Sequence, residues 1–324
     1  MKYLLEVRDL RGGYIVDDRY LETVSGANLE LRESEIFGIA GESGCGKSTL
    51  LKIIYGSPIV TLRSGSIKVR VNNQTIDISS MSLDDKKTKI WWSLISYIPQ
   101  NNMSAFNPTQ KIRDHIRETI KSHMKVDRHM INDMMNYIED LAKSLGLSPV
   151  VLNAYPHQLS GGMRQRIAIL MAIMLKPKII LADEPTTGLD VIVQRGILQQ
   201  LVKIRNQYNV SLVLVSHDMS VHAMVSDRLA VMYAGKMVEV GSTRDMFENP
   251  LHPYTQALIS SLPRIGDRGL RRGLHGMPPS LVSPPPGCRF HPRCPFAMDI
   301  CRREEPPLID LGGRLVSCWL HVRR

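Results

Sequence analysis

A glycine-rich stretch between an apolar strand and an apolar helix could bind phosphate. Residues 41–49, GESGCGKST, follow the apolar run 36–40 and match the spacing G-x-x-x-x-G-K-[ST]. Glycines let backbone N–H groups turn toward phosphate oxygens, and the next helix presents its positive end to the same anion. Lys47 would reach the β- and γ-phosphates, and Ser48 would ligate Mg²⁺. The predicted nucleotide contacts are Gly41, Ser43, Gly44, Cys45, Gly46, Lys47, Ser48 and Thr49.

Two acids end a second buried run, at residues 179–182. Asp183 is predicted to hold Mg²⁺ through water, and Glu184 to orient or deprotonate the water that attacks the γ-phosphate. Each motif alone has a plain alternative, a glycine turn that binds nothing or an ordinary strand-end acid pair. Together the two motifs favour ATP hydrolysis.

The elements that must position these residues alternate along the chain. Short apolar runs at 36–40, 94–98, 179–182, 212–215 and 229–232 predict strands, and 164–175 and 191–206 predict helices. This alternation predicts an α/β fold with a mainly parallel sheet and ligands beyond the carboxyl ends of its strands. Helical patterns at 111–123 and 130–145 predict an inserted helical subdomain at about 104–160.

Composition sets the broad class of the chain. It has 324 residues, 43% hydrophobic and 22% charged, and a net charge of +10. These values argue against a disordered, fibrous or membrane-spanning chain. The longest apolar run, 167–175, is far shorter than the ~20 residues of a spanning helix. No export signal is visible at the N-terminus, so we expect a soluble chain with reduced thiols.

The C-terminal tail differs in composition from the rest. Eleven of the 19 prolines and four of the five cysteines follow residue 251, and residues 264–324 carry eleven Arg, no Lys and five acids. We therefore predict a nucleotide-binding domain at 1–250 and a small, irregular metal-binding extension at 251–324. The candidate ligands are Cys288, Cys294, Cys301 and Cys318.

The cysteine spacing, C-x5-C-x6-C-x16-C, lacks the close pairs of structural zinc sites and suits a larger four-iron cluster. Zinc and free cysteines remain as alternatives. Arg289, Arg293, Arg302 and Arg303 could offset the negative charge of four thiolates.

Leu159-Ser160-Gly161-Gly162-Met163 stands upstream of the acid pair. Here the chain resembles the ATP-binding-cassette (ABC) ATPases, whose LSGGQ signature it matches except at Met163. The resemblance implies a P-loop cassette with a RecA-like core and an antiparallel β subdomain. It also implies a dimer in which the signature closes on the partner's ATP. The residues given roles by this resemblance are Ser160, Gly161, Gly162, Gln100 of the Q-loop, Asp190 of the D-loop, the switch histidine His217 at the γ-phosphate, and Tyr14 against adenine, with Tyr20 as its competitor. In the family the Q-loop glutamine contacts Mg²⁺ and couples to the membrane subunits.

A closer resemblance is to the ATPases of oligopeptide and dipeptide importers. It rests on the segments 106–108 (FNP), 249–255 (NPLHPYT), 276–279 (GMPP) and 287–295 (GCRFHPRCP). One departure is Gly188, where that subfamily commonly has alanine. The resemblance favours a [4Fe–4S] cluster over zinc in the tail.

The same resemblance implies an ATP-driven import motor for peptides or for related solutes such as oligosaccharides. Its implied partners are a second ABC ATPase subunit, as a heterodimer, two transmembrane permeases and an extracellular solute-binding protein. The implied location is peripheral, on the cytoplasmic face of the cell membrane. The alternative is a soluble ABC ATPase that acts on nucleic acid or ribosomes, for which the net charge of +10 is a mild sign. We expect no nucleic-acid partner, because the coiled-coil or C-x-x-C modules of such members are absent from the sequence.

Overall fold

The computed structural model describes residues 3–72, 74–100, 106–124, 126–262 and 274–322. These form two compact units, one built from 1–80 and 214–324 and the other from 81–213. Residues 101–105, which follow Gln100 and include the start of the predicted helical insertion, lie outside the described residues. The predicted domain boundary at residue 250 stays a prediction.

The strands are β1 (Leu5–Val16), β2 (Arg19–Leu31), β3 (Ile36–Ala40), β4 (Thr61–Val71), β5 (Gln74–Asp77), β6 (Ile95–Ile98), β7 (Ile179–Asp183), β8 (Ser211–Ser216), β9 (Arg228–Tyr233), β10 (Lys236–Ser242), β11 (Ile309–Asp310) and β12 (Leu315–Val316). The α-helices are α1 (Lys47–Tyr55), α2 (Leu83–Asp85), α3 (Ile112–His123), α4 (Arg128–Ser144), α5 (Gly161–Ile173), α6 (Val191–Tyr208), α7 (Met219–Val225), α8 (Thr243–Glu248), α9 (Pro253–Ser260) and α10 (Asp299–Arg303). Strand β8 crosses the junction between the two units.

The first unit contains an antiparallel sheet in the order β2-β1-β4-β5. Asp17 and Asp18 link β1 to β2 with φ of 47° and 58°. A two-residue turn with positive φ at both positions matches the twist of a hairpin, and aspartate tolerates that conformation. Leu5, Val7 and Leu10 of β1 are fully buried, so one face of the hairpin packs into the core.

A second sheet in this unit is mixed. Strand β3 pairs in parallel with β9, whereas β9 and β10 are antiparallel because Ala234 and Gly235 turn the chain in two residues. The C-terminal segment adds β12 to β10 and β11 to β12, both antiparallel. Every residue of β3 is buried, as expected of a strand covered on both faces. The predicted α/β class is confirmed, with more antiparallel pairing than expected.

The C-terminal segment also contributes to the core of the first unit. The rings of Tyr233, Tyr254 and Phe290 meet with centroids 4.6–5.3 Å apart, and all three residues are almost fully buried. Phe290 lies between two of the cysteines, and Tyr254 lies in the HPYT segment. Aromatic packing therefore joins the tail to the sheet.

In the second unit β6 and β7 pair in parallel, and helices surround them. Helix α3 buries Ile112, Ile116 and Ile120, which recur every four residues on one face. Asp127 accepts a hydrogen bond from the Met130 N–H at 2.8 Å and caps α4. The helices expected at 111–123 and 130–145 are thus present within a few residues of their predicted bounds. Across the described parts of the chain, no helix is long and apolar enough to cross a membrane.

Candidate functional site

The phosphate motif forms a loop between β3 and α1. Lys47 is the first residue of α1, and its side chain folds back over the loop, with Nζ donating to the carbonyl oxygens of Gly41 at 2.7 Å and Glu42 at 2.9 Å. The residue is only 5% exposed. A buried ammonium with carbonyl partners from its own loop is poised to exchange them for phosphate oxygens.

Two of the loop glycines are required by the backbone. Gly41 has a φ of 152° and Gly46 a φ of 105°. A Cβ at Gly41 would collide with the carbonyl oxygen of Met232, and one at Gly46 with that of Thr23. Since both obstacles are backbone atoms, neither can rotate away, so the loop accepts no side chain at these two positions.

Of the two tyrosines considered for adenine, Tyr14 lies nearer the loop. Its hydroxyl accepts a hydrogen bond from Thr49 Oγ1, in the first turn of α1, at 3.3 Å. Tyr20 instead packs under the guanidinium of Arg63, 4.8 Å from its ring centroid. The placement of Tyr14 supports its predicted role, which stays a prediction.

In the second unit the acid pair lies at the end of β7, with Asp183 1% and Glu184 7% exposed. Tyr97, on β6, donates its hydroxyl to Asp183 Oδ2 at 2.7 Å. Glu184 Oε2 accepts from Gln100 Nε2 at 3.2 Å and from Thr187 Oγ1 at 2.8 Å. The backbone of Glu184 has a φ of 47°, a strained value for a glutamate. The hydrogen bonds from Gln100 and Thr187 hold this carboxylate in one direction.

Two of these partners were missed in the sequence. Tyr97 lies three residues before Gln100 on the strand paired with β7, and Thr187 lies three residues after Glu184. Tyr97 reaches Asp183 because β6 pairs with β7 in a register that places Tyr97 opposite Leu181. The sequence pattern does not give this register.

The signature and the D-loop each form a helix start in the second unit. Ser160 accepts from the Met163 N–H at 3.3 Å and caps α5, and Asp190 accepts from the Val193 N–H at 2.9 Å and caps α6. A Cβ at Gly162 would lie 2.8 Å from Val193 Cγ1, so this glycine lets α5 approach α6 closely. Ser160, Gly161 and Asp190 are exposed.

His217 follows β8 in the first unit and is exposed, and its contact with the γ-phosphate stays a prediction. A second histidine nearby behaves differently. His222 is fully buried, and burial lowers its pKa to about 4, while its ring nitrogens lie 3.2 Å from Ser226 Oγ and 3.3 Å from the Ser216 carbonyl oxygen. It is a neutral core residue that packs below the end of β8.

The prediction of a metal-binding extension is wrong. Within the ranges that the structure describes, no group of three or more His, Cys, Asp or Glu side chains is placed to hold a metal ion. Cys288, Cys294, Cys301 and Cys318 are free thiols. Burial raises the pKa of the Cys294 thiol and brings those of the Cys288 and Cys318 thiols to about 11. The absence of such a group of side chains among the described residues contradicts both the iron–sulfur cluster and the zinc site.

Two of the four arginines expected beside a cluster, Arg289 and Arg293, have other partners. Arg293 forms an ion pair with Glu42 of the phosphate loop, its Nη1 2.6 Å from Oε2. Arg289 donates to the Ala234 carbonyl oxygen and, at 3.1 Å, to Ser25 Oγ. The basic tail is thus bound to its own unit through these two side chains.

Comparisons with known proteins give the family. A family model described as ABC transporter matches residues 24–187. A second model, described as the C-terminal region of oligopeptide/dipeptide transporters, matches residues 238–301.

Curated relatives align along the whole chain. The dipeptide transport ATP-binding protein DppD of Caldanaerobacter subterraneus is 38% identical over 99% of this chain and 98% of its own length. The Bacillus subtilis DppD is 39% identical over 100% of this chain and 96% of its own. The oligopeptide transport ATP-binding protein OppD of Salmonella typhimurium is 35% identical over 98% of this chain and 94% of its own.

A solved structure confirms the fold. A dimeric structure of the ATP-binding cassette MJ0796, in a post-hydrolysis state with ADP and Pi, superposes with a TM-score of 0.63 at 26% identity and covers 74% of this chain and 99% of its own. The P-loop cassette expected from the motifs is therefore present, and ATP hydrolysis is its activity. The chain belongs to the ABC transporter family, as an ATP-hydrolysing subunit related to the ATP-binding proteins of dipeptide and oligopeptide transport.

Proposed function

We propose that this chain energises the import of dipeptides or oligopeptides. The observation that carries the proposal is the match of residues 238–301 to the C-terminal region of oligopeptide/dipeptide transporters, within relatives that align over nearly the whole chain. Those relatives are named as transport proteins for dipeptides and oligopeptides. Oligosaccharides, which we considered from the sequence, have no comparable support.

In this proposal the loop at 41–49 binds the phosphates of ATP. Lys47 Nζ already faces the loop carbonyls of Gly41 and Glu42 and would take phosphate oxygens in their place. The glycines keep side chains out of the cradle, and the start of α1 adds its N-terminal dipole. Tyr14 stacks on the adenine, supported by its contact with Thr49.

The acid pair supplies the chemistry of hydrolysis. Glu184 orients the attacking water and accepts its proton, with Gln100 and Thr187 fixing the carboxylate's direction. His217, exposed after β8, contacts the γ-phosphate. Since positioning and charge neutralisation supply most of phosphoryl-transfer catalysis, these few groups suffice.

The residues expected to hold Mg²⁺ fit that ion. Ser48 in the first unit, and Gln100 and Asp183 in the second, each offer an oxygen atom, the ligand that a hard cation prefers. Asp183 is 1% exposed, and a buried carboxylate is favoured by a cation beside it. When bound, Mg²⁺ neutralises charge on the β- and γ-phosphates.

The partners are a second ATPase subunit, a related chain in a heterodimer, two transmembrane permeases and a solute-binding protein, at the cytoplasmic face of the membrane. The exposed signature and D-loop support pairing with a second ATPase subunit. Two large apolar side chains follow Asp190, and both are exposed: Val191 by 80% and Ile192 by 85%. Apolar exposure of this extent is typical of a contact surface.

Uptake of a labelled dipeptide tests the proposal. Cells that express the chain together with the proposed permeases, partner ATPase and solute-binding protein should accumulate the dipeptide. The Lys47→Ala variant should lose both ATP binding and dipeptide uptake. Co-purification from native membranes should recover two permeases and a related ATPase. Uptake of an oligosaccharide without any peptide uptake, or recovery of ribosomes without permeases, would overturn the proposal.

A further inference from the structure

The C-terminal segment reaches the phosphate loop through one arginine. Both terminal nitrogens of Arg293 bind the carboxylate of Glu42, Nη1 to Oε2 at 2.6 Å and Nη2 to Oε1 at 2.9 Å. The Arg293 side chain is 5% exposed and that of Glu42 25%. A two-point guanidinium–carboxylate pair of this kind fixes orientation as well as distance, which lysine does not reproduce.

Other contacts hold Arg293 itself in place. Its Nε donates to the His275 carbonyl oxygen at 2.9 Å, and Nη1 also lies 3.3 Å from the Tyr233 hydroxyl. The guanidinium carbon lies 5.8 Å from the centroid of the Tyr233 ring. These contacts order the Arg293 side chain independently of Glu42, so its pairing with Glu42 costs little further side-chain entropy.

A second residue holds the backbone of the same position. Tyr254, on α9, accepts a hydrogen bond from the Glu42 N–H at 2.9 Å and is completely buried. Its ring packs against Tyr233 and Phe290. The Glu42 N–H thus points toward α9, while its carboxylate points toward Arg293.

The remaining backbone group of Glu42 leads to the nucleotide. Its carbonyl oxygen accepts the hydrogen bond from Lys47 Nζ at 2.9 Å. The N–H, the carbonyl and the carboxylate of Glu42 are all engaged, two by residues more than 200 positions away in sequence. A movement of Arg293 would displace Glu42, and Glu42 would in turn displace the Lys47 side chain that donates to its carbonyl oxygen.

We propose that Arg293 and Tyr254 act as a positioning clamp on the phosphate loop, which sets Lys47 for ATP through Glu42. This inference rests on the proposed role of Lys47 in phosphate binding. Arg293 touches neither substrate nor reacting atoms, so its role is positioning. The C-terminal segment then has a role in ATP binding that the nucleotide motifs do not reveal.

The same segment offers a matched control. Arg314 Nη2 pairs with Glu239 Oε1 at 2.6 Å, with side chains 13% and 0% exposed. This pair joins the C-terminal segment to β10 and not to the phosphate loop. Loss of either arginine should lower stability, since each leaves a carboxylate without its partner, but only loss of Arg293 should change ATP binding.

The experiment uses the full chain, with radiolabelled ATP in equilibrium dialysis, steady-state hydrolysis and thermal unfolding without nucleotide. Arg293→Met should weaken ATP binding about tenfold, the scale of one charged hydrogen-bonded pair. Arg293→Lys should give an intermediate Kd, because it keeps the charge and loses the second contact. The double variant Glu42→Gln with Arg293→Met should be no worse than Arg293→Met, since both changes break one interaction.

The outcomes separate the inference from the proposal beneath it. If Lys47→Ala binds ATP normally, the phosphate role fails and the clamp with it. If Lys47→Ala loses ATP while Arg293→Met, Arg293→Lys and Glu42→Gln all keep the wild-type Kd, the clamp alone is wrong. An equal loss of affinity in Arg314→Met would also overturn it, as a general effect of stability. Should Arg293→Met not fold, Arg293→Lys and Glu42→Gln decide the question.

Discussion

The phosphate loop and the acid pair are shaped by different forces. In the loop, Gly41 and Gly46 pass so close to neighbouring carbonyl groups that only hydrogen fits in place of a side chain. In the acid pair, side chains direct one another, with Tyr97 on Asp183 and both Gln100 and Thr187 on Glu184. The loop depends on backbone shape, and the acid pair depends on side-chain hydrogen bonds.

This difference teaches where a substitution should act. A change in backbone shape alters the cradle itself, so ATP affinity and stability fall together. A change in hydrogen bonding at the acid pair leaves the cradle intact, so ATP still binds while turnover falls. Substitutions in the phosphate loop should therefore change the Kd for ATP, whereas substitutions at the acid pair should change kcat.

The largest effect is expected at Gly46. Gly46→Ala would press a methyl group against the Thr23 carbonyl and force alanine into a φ of 105°. We expect ATP affinity to fall about a hundredfold or more and the Tm to fall by several degrees, on the scale of overpacking plus backbone strain. Equilibrium dialysis and thermal unfolding measure the two quantities.

Gly312→Ala is the matched control for Gly46. Gly312 also has a positive φ, 70°, but a Cβ there would meet nothing within 4 Å. This variant should cost about 1 kcal/mol of stability from the backbone alone and leave ATP affinity unchanged. If both variants behave alike, close packing is not what shapes the loop.

The next effect is expected at Glu184. Glu184→Gln keeps the side-chain volume and can still accept from Thr187, but it cannot take a proton from water. We expect kcat to fall at least about a hundredfold, typical of a lost general base, with ATP affinity near the wild-type value. Single-turnover hydrolysis and ATP dialysis check both numbers, and near-normal turnover would remove Glu184 from its assigned role.

The smallest effect is expected at Thr187. Thr187→Val removes the hydroxyl that donates to Glu184 Oε2 at 2.8 Å. One neutral donor to a carboxylate suggests a fall in kcat of roughly three- to tenfold, with Kd unchanged. Thr187→Ser keeps the hydroxyl and should retain most of the activity. If valine and serine lower kcat equally, this hydrogen bond does not orient the carboxylate.

Much of the fold could be predicted because local patterns suffice for it. Strand β3 has its predicted bounds, and α6 begins at Val191 as expected. Helix α5 was predicted from Arg164, but it begins at Gly161. Gly161 and Gly162 are poor helix formers, so the apolar periodicity does not extend to the first turn of α5. The Ser160 cap stabilises that turn.

The site could be predicted only where a motif is continuous in sequence. The loop and the acid pair are such motifs, while the partners that orient them are not. Tyr97 and Arg293 lie 86 and 251 residues from the carboxylates they bind. The prediction from the cysteines was wrong for a related reason. Spacing shows which thiols are present, but not whether they lie close enough together to hold one metal ion, and among the described residues they do not.

The contact between Glu42 and Arg293 has a consequence for synthesis of the chain. A ribosome that adds about 5 to 20 residues per second needs roughly 13 to 50 s to pass from one partner to the other, 251 residues apart. During that interval the phosphate loop exists without the arginine that we propose to position it. The nucleotide cradle is therefore made well before the contact that completes it.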